Sequence, residues 1–201
     1  TIAIPGTIDN DIPCTAATIG YDTVINTVVD SIDKIRDTAT SHERVFVIEV
    51  MGRRSGFIAL EAGLAGGAES IVIPEVPFNI DTVVKNIKRG NRRGKKHSII
   101  IVAEGAIDAM EFTKEISEKT GLETRLSILG YIQRGGSPSA KDRLLGSRMG
   151  AEAVNLLLRG ESKKMLAMDG EMIRNFDIEW AISQSKTIHL DDYRLAGILS
   201  I

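Results

Sequence analysis

Short runs of β-branched residues alternate with longer stretches in which apolar positions recur every three or four residues. The longer spacing lines one face of a helix. Compact β-branched runs bounded by glycine or proline read as strands. Ile2–Ile4, Arg44–Val50, Ser70–Pro74, Ser98–Ala103, Arg125–Leu129 and Lys164–Met168 are the predicted strands. Ile19, Val24, Val28, Ile32 and Ile35 mark a helix over residues 18–38. Further helices are predicted over 55–65, 81–93 and 111–120, each stopped by a glycine, and a short one over 178–183. Ser137-Pro138 resembles an N-cap with proline in the first helical position, opening a long helix that runs to Arg159 and Gly160. Ser98–Ala103 is apolar on both faces, as a central parallel strand is.

Strands alternating with helices imply an α/β fold: a parallel sheet with helices on both faces, built from right-handed crossovers. Ligands of such sheets sit at the carboxyl ends of strands. The loops after Ile4, Val50, Ala103 and Leu129 are therefore where chemistry is expected, gathered on one sheet edge. A length of 201 residues suits one large domain, or one domain with part of another. The chain opens at Thr1 directly on an apolar strand, without Met, which leads us to expect a truncated amino end.

Charge narrows the partners. A net charge of -2 gives no field for a nucleic-acid backbone, so an anion site has to be a local cluster of Arg and Lys. The single cysteine, Cys14, has no partner for an internal disulfide. No apolar run approaches a membrane span and no signal peptide precedes the first strand. A soluble cytoplasmic protein is expected.

The loops hold the unusual residues. Pro5-Gly6-Thr7-Ile8-Asp9-Asn10-Asp11 puts two carboxylates, an amide and a hydroxyl beside a glycine. A carboxylate there can take a proton from a hydroxyl, and paired acids can hold Mg²⁺ through water. An Asx-type turn bonding its own backbone would use the same residues. Met51-Gly52-Arg53-Arg54-Ser55-Gly56 leads into a helix start, where N–H groups suit phosphate. It lacks the lysine and spacing of a Walker A loop, as does Gly90 to Lys96. Glu104, at the tip of an apolar strand, suits a sugar hydroxyl or a helix cap. Gly130-Tyr131-Ile132-Gln133-Arg134-Gly135-Gly136-Ser137 again combines glycines, Arg and a helix start, and the guanidinium fork matches phosphate. Such loops suit a phosphorylated polyol beside a proton acceptor. Hydride transfer is disfavoured because no G-x-G-x-x-G follows a strand. A Ser-His-Asp triad is disfavoured because the three histidines lie in a polar linker (His42), a basic turn (His97) and near the tail (His189).

These motifs, in order and spacing, resemble those of the ATP-dependent 6-phosphofructokinase family: P-G-T-I-D-N-D, M-G-R, Glu104-Gly105 and L-G-Y-I-Q-R-G-G-S-P. The likeness runs from Thr1 to about Gly160 and more weakly beyond. It implies a Rossmann-like phosphofructokinase fold, the smaller domain plus part of the larger one. By this resemblance 1–19 and 134–182 belong to the larger, nucleotide-side domain, and 20–133 with 183–201 to the smaller, sugar-phosphate-binding domain. The family's glycine-rich nucleotide loop has no counterpart here. The implied reaction is transfer of the terminal phosphoryl of ATP to the 1-hydroxyl of fructose 6-phosphate, with Mg²⁺, in a cytoplasmic homotetramer of glycolysis.

Carried over by motif, Asp9 resembles the general base. Thr7 and Asp11 would position the sugar end and the Mg²⁺ environment, and Arg53 would steady the transferring phosphoryl group. Met51 and Gly52 would contact the sugar through backbone, Glu104 would hold a sugar hydroxyl, and Arg134 would bind the 6-phosphate. Arg44 and Arg125 match arginines that reach the 6-phosphate of a neighbouring subunit. Arg36, Glu69, Arg93, Lys95 and His97 sit where allosteric relatives draw an effector site, although a basic helix end accounts for the cations equally. By the resemblance Tyr131 is a substrate contact, replacing a histidine that in many relatives meets the sugar phosphate, and its hydroxyl can still donate to phosphate; Ala16-Ala17 replaces an Asp-aromatic pair. Gly6 stands where pyrophosphate users tend to carry Lys, which favours ATP. A pyrophosphate-dependent kinase and a non-catalytic sugar-phosphate or nucleotide sensor are the competing readings.

Overall fold

The computed structural model describes residues 1–39, 44–95 and 97–199. His42 and Lys96 lie outside the described residues. The chain divides into two compact units, Thr1–Val24 with Gly136–Thr187, and Ile25–Gly135 with Ile188–Ile201.

The second unit holds β2 (Arg44–Val50), β3 (Ser70–Val72), β4 (His97–Ala103) and β5 (Glu123–Ile128), ordered β3-β4-β2-β5. All three pairings are parallel, and Arg44–Val50 registers residue for residue with His97–Ala103. Helices cover both faces. On one, Val45, Val47, Ile100 and Val102 pack with Val83 and Ile87 of α3 (Ile80–Arg92) and Phe112 and Ile116 of α4 (Ala109–Thr120). Toward the other face, α2 (Phe57–Ala65) brings Gly63 so near Ile71 and Ile101 that a Cβ there would lie 2.8 Å from the Ile71 side chain. Asn79 and Asp108 cap α3 and α4 by accepting from the first helical amides, and left-handed Gly121 ends α4. The run Ser98–Ala103, apolar on both faces, thus lies in an inner strand, with β2 inner beside it.

The first unit holds β1 (Ile2–Ala3), β6 (Lys164–Asp169) and β7 (Met172–Asp177), ordered β1-β6-β7. β1 pairs parallel with β6, and β7 pairs antiparallel. Leu145, Met149, Ala153 and Leu156 of α5 (Ala140–Leu158) pack with Leu166, and with Ile2 and Ile19 at the margin. α6 (Ile178–Ile182) follows β7; α1 (Tyr21–Ala39) starts in this unit and runs into the second, where α7 (Leu190–Leu199) also lies.

Four expectations are corrected. The strands form two sheets, so the loop after β1 does not share an edge with the loops after β2, β4 and β5. β7 and α7 were not predicted. In β7 the half-buried Ile173 and Phe176 are separated by exposed Arg174 and Asn175, which hides the strand period, while left-handed Gly170 makes the hairpin turn. The long helix starts at Ala140, not at Pro138, because Ser139 is its cap. The Ser139 Oγ accepts from the Asp142 N–H at 3.2 Å, three residues on. Residues Gly130–Arg134, read as loop, form a short 3-10 helix. No helix among the described residues is long and apolar enough to cross a membrane.

Candidate active site

Of the four loops that leave the carboxyl edge of the second unit's parallel sheet, those after β2, β4 and β5 carry the residues expected there. The β2 loop turns sharply: Gly52 has φ +141° and Arg53 φ +53°. A side chain at Gly52 would meet the Ser55 carbonyl at 2.5 Å. Three successive amides of this turn are held by neighbouring loops. Met51 N–H donates to Gln133 Oε1 at 3.1 Å. Gly52 and Arg53 N–H both donate to Glu104 Oε1, at 3.2 and 2.8 Å. Gly105 then lets Arg53 pass, since a Cβ there would lie 2.0 Å from the Arg53 carbonyl oxygen.

These contacts leave the Arg53 side chain exposed at the edge. Arg134 is also exposed, its guanidinium 5.2 Å from the centroid of the Tyr131 ring, a cation–π arrangement that holds the fork over an exposed tyrosine. The α2 start, expected to suit phosphate, is already occupied. The Gly56 N–H donates to the Glu75 carboxylate at 2.9 Å. Beneath the loops, Glu49 of β2 has its carboxyl pushed above the ordinary range by burial first, then by the negative charges of Glu104 and Asp108.

Arg44 and Arg125 do not join Arg134. Arg44 opens β2, and six strand steps separate it from Val50, about 20 Å at ~3.3 Å each. Both arginines bind one carboxylate: Arg44 Nε donates to Glu123 Oε2 at 2.8 Å, and Arg125 Nε to Glu123 Oε1 at 2.8 Å. The hydrogen bond from Arg44, then that from Arg125, pulls the Glu123 carboxyl below its ordinary range.

The five residues expected around an effector lie toward the amino ends of β3 and β4. Glu69 accepts from the Ile99 N–H at 2.6 Å and pairs with Lys95 at 3.4 Å. Arg36 donates to the Gly66 carbonyl beyond the end of α2 and pairs with Asp33 at 3.2 Å. Arg93 is exposed at the end of α3, and His97 Nδ1 is buried with no hydrogen-bond partner among the described residues.

In the first unit, the loop after β1 is tied down by its own polar groups. The Thr7 hydroxyl accepts from the Asp9 N–H at 3.2 Å and donates to Asp9 Oδ2 at 3.4 Å. Asp9 and Asn10 are buried, and Asn10 is left-handed at φ +53°. Asn10 Oδ1 accepts from the Thr18 N–H at 3.2 Å and from Lys186 Nζ at 2.8 Å, while its Nδ2 donates to the Ala16 carbonyl at 3.2 Å. Asp11 is exposed. A buried Asp142 accepts from Gly20 and Thr23 N–H at 2.8 Å each and from the Thr23 hydroxyl, joining the starts of α1 and α5.

Sequence reasoning missed Gln133, Asp142 and Lys186. Gln133 stood inside a quoted motif, and its burial between two exposed neighbours was not visible. Among the described residues no group of three acidic, His or Cys side chains could cage a metal. Mg²⁺ ordinarily takes one or two carboxylates and fills its remaining positions with phosphate oxygens and water. An exposed Asp11 beside Asp9 fits that minor share.

The family model described as Phosphofructokinase matches residues 1–157. The chain is 58% identical over its whole length to the ATP-dependent 6-phosphofructokinase of Halothermothrix orenii, of which it covers 64%. Against the Bacillus subtilis protein of the same name it is 58% identical, covering 63%. The chain therefore spans slightly less than two thirds of these relatives' length. Among solved structures, phosphofructokinase from Saccharomyces cerevisiae superposes with a TM-score of 0.84 at 36% identity, over 89% of this chain and 25% of that one.

Proposed function

The chain belongs to the phosphofructokinase family, and from that premise we propose that it supplies the sugar-phosphate side and the catalytic base of an ATP-dependent 6-phosphofructokinase. The observation that carries this reading is the set of three loops on one sheet edge, which combines exposed Arg53 and Arg134 with a turn held by Glu104 and Gln133.

In this reading Arg134 grips the 6-phosphate, steadied by Tyr131. The Met51–Gly52 backbone lies along the sugar. One oxygen of Glu104 holds the Gly52–Arg53 turn, which leaves its other oxygen for a sugar hydroxyl. The Asp9 carboxylate takes the proton of the sugar 1-hydroxyl, and Thr7 orients that carboxylate through its hydroxyl. The 1-oxygen forms a bond to the terminal phosphorus of ATP as the bond to ADP breaks, giving fructose 1,6-bisphosphate. Arg53 offsets the charge that develops on the phosphoryl oxygens. Such transfer depends on positioning and electrostatics more than on covalent chemistry, so fixed loops are what the protein must provide. Mg²⁺, when bound, neutralises phosphate charge, with Asp11 holding its water shell.

Gly6 supports ATP as donor. A Cβ there meets nothing within 4 Å, so the fold does not itself demand glycine; by the resemblance, the lysine of pyrophosphate users would put its charge in the region of the α-phosphate. The larger and smaller domains of the family correspond in this reading to residues 1–19 with 134–182 and 20–133 with 183–201. Arg44 and Arg125 serve a neighbouring subunit's 6-phosphate in a homotetramer, exchanging Glu123 for phosphate. Arg36, Glu69, Arg93, Lys95 and His97 form the effector side, and the protein works in the cytoplasm.

Calorimetry with fructose 6-phosphate tests this function. Saturable binding is expected for the full-length protein, weakened at least tenfold by Arg134→Ala. Equal binding by both would remove Arg134 from the phosphate site.

A further inference from the structure

We propose that Gln133 is a positioning residue that locks the phosphate-gripping loop to the turn carrying Arg53. The proposal rests on the kinase reading above.

Gln133 is 1% exposed, although it lies between Ile132 and Arg134, both exposed, in a short 3-10 helix. Its amide is engaged at both ends. Oε1 accepts from the Met51 N–H at 3.1 Å, and Nε2 donates to the Gly130 carbonyl at 3.1 Å. One side chain therefore joins the exit of β5 to the exit of β2. Gly130 sits at φ +51°, a conformation glycine adopts without steric cost, so the loop bends back over the amide.

Arg134 follows Gln133 directly, and Arg53 lies two residues beyond Met51. Glu104 fixes the Gly52 and Arg53 amides from the loop between. Gln133 supplies the remaining anchor, and Met51 is only 8% exposed, so water has little access to its N–H if Gln133 is lost. An apolar residue of the same length would fill the space but leave the turn held at two of its three amides. Displacement of a catalytic group by about 1 Å costs on the order of 100-fold in rate. Gln133 thus acts through Met51 and needs no contact with the sugar.

Gln133→Met and Gln133→Glu, made in the full-length protein, test this. Glu keeps an acceptor for the Met51 N–H and loses the donor to Gly130; Met keeps neither. Hydrogen exchange of the ligand-free protein is expected to speed at least tenfold at Met51 in Gln133→Met, with Ile99–Ala103 unchanged, and to stay near wild type in Gln133→Glu. Turnover per folded molecule is expected to fall about tenfold to 100-fold in Gln133→Met, more than KM rises, and to recover largely in Gln133→Glu. Unchanged Met51 exchange in Gln133→Met would overturn the proposal, as would unchanged turnover per folded molecule once protection is lost. If the wild-type protein fails to phosphorylate fructose 6-phosphate, the kinase reading fails by itself, and the exchange measurement alone still decides whether Gln133 holds the turn.

Discussion

Gly105→Ala is a single-methyl wedge against the turn that presents Arg53. A Cβ at Gly105 would lie 2.0 Å from the Arg53 carbonyl oxygen and 3.0 Å from its carbon. Ordinary contact begins near 3.4 Å, so the carbonyl must retreat by about 1.4 Å. The obstacle is backbone, which cannot swing aside as a side-chain tip could. Arg53 is also left-handed, and its amide is bound to Glu104 at 2.8 Å, so the turn cannot move without stretching that bond. Gly105 itself is not left-handed, so alanine brings no φ penalty and the steric effect is isolated. Overpacking of this size costs about 1–3 kcal/mol. Denaturant unfolding should show that loss with the folded secondary structure intact. With Arg53 in the role proposed above, a shift beyond 1 Å should lower kcat about 100-fold, with a much smaller change in KM for fructose 6-phosphate. Steady-state kinetics on the folded full-length protein reads this directly. A variant within twofold of wild-type kcat would refute the claim that the Arg53 turn has no room to move.

Two further outcomes follow from carboxylates partly or wholly withdrawn from water. Glu49 holds its proton more tightly in the folded chain, chiefly because it is partly withdrawn from water, so its ionised form costs stability as pH rises above the ordinary value of 4.5. Glu49→Gln should therefore raise the Tm at pH 7–8 relative to wild type, and the gain should vanish by about pH 4; a lowered Tm at neutral pH would contradict the sign. Asp142→Ala strips partners from two amides and the Thr23 hydroxyl and should cost about 3 kcal/mol or more in denaturant unfolding, whereas a loss below about 1 kcal/mol would show that the carboxylate does not tie α1 to α5.

The inner strands and their helices were legible because β2 is rich in β-branched residues, β4 is apolar on both faces and the helices carry a clear three-to-four-residue period. What escaped depended on pairing distant in sequence. By its pattern alone Ile2–Ala3 looks like any strand of one parallel sheet, but its partner is Lys164–Met165 and not β2, which moves the Asp9 loop to another sheet; only the resemblance had set residues 1–19 apart from 20–133. Ser137-Pro138 has the pattern of a cap, but Ser139 is the residue that bonds the Asp142 amide. The same limit applies to the site. Exposed Arg53 and Arg134 were readable as loop cations at strand ends. The Gln133 bond to Met51 spans 82 positions, and the Glu123 carboxylate shared by Arg44 and Arg125 needs the β2–β5 register. Motif spacing marked the loops where chemistry was expected, while the groups that hold those loops emerged from packing.

The central claim, that this chain carries the base for phosphoryl transfer, is tested most directly by Asp9→Asn in the full-length protein. Turnover and fructose 6-phosphate affinity should be measured on the same preparation. Asparagine is near-isosteric and cannot accept the proton, so kcat should fall by a factor of about 10²–10⁴ while sugar binding stays within a few-fold of wild type. Weakened sugar binding with unchanged kcat would contradict the assignment of Asp9 as base.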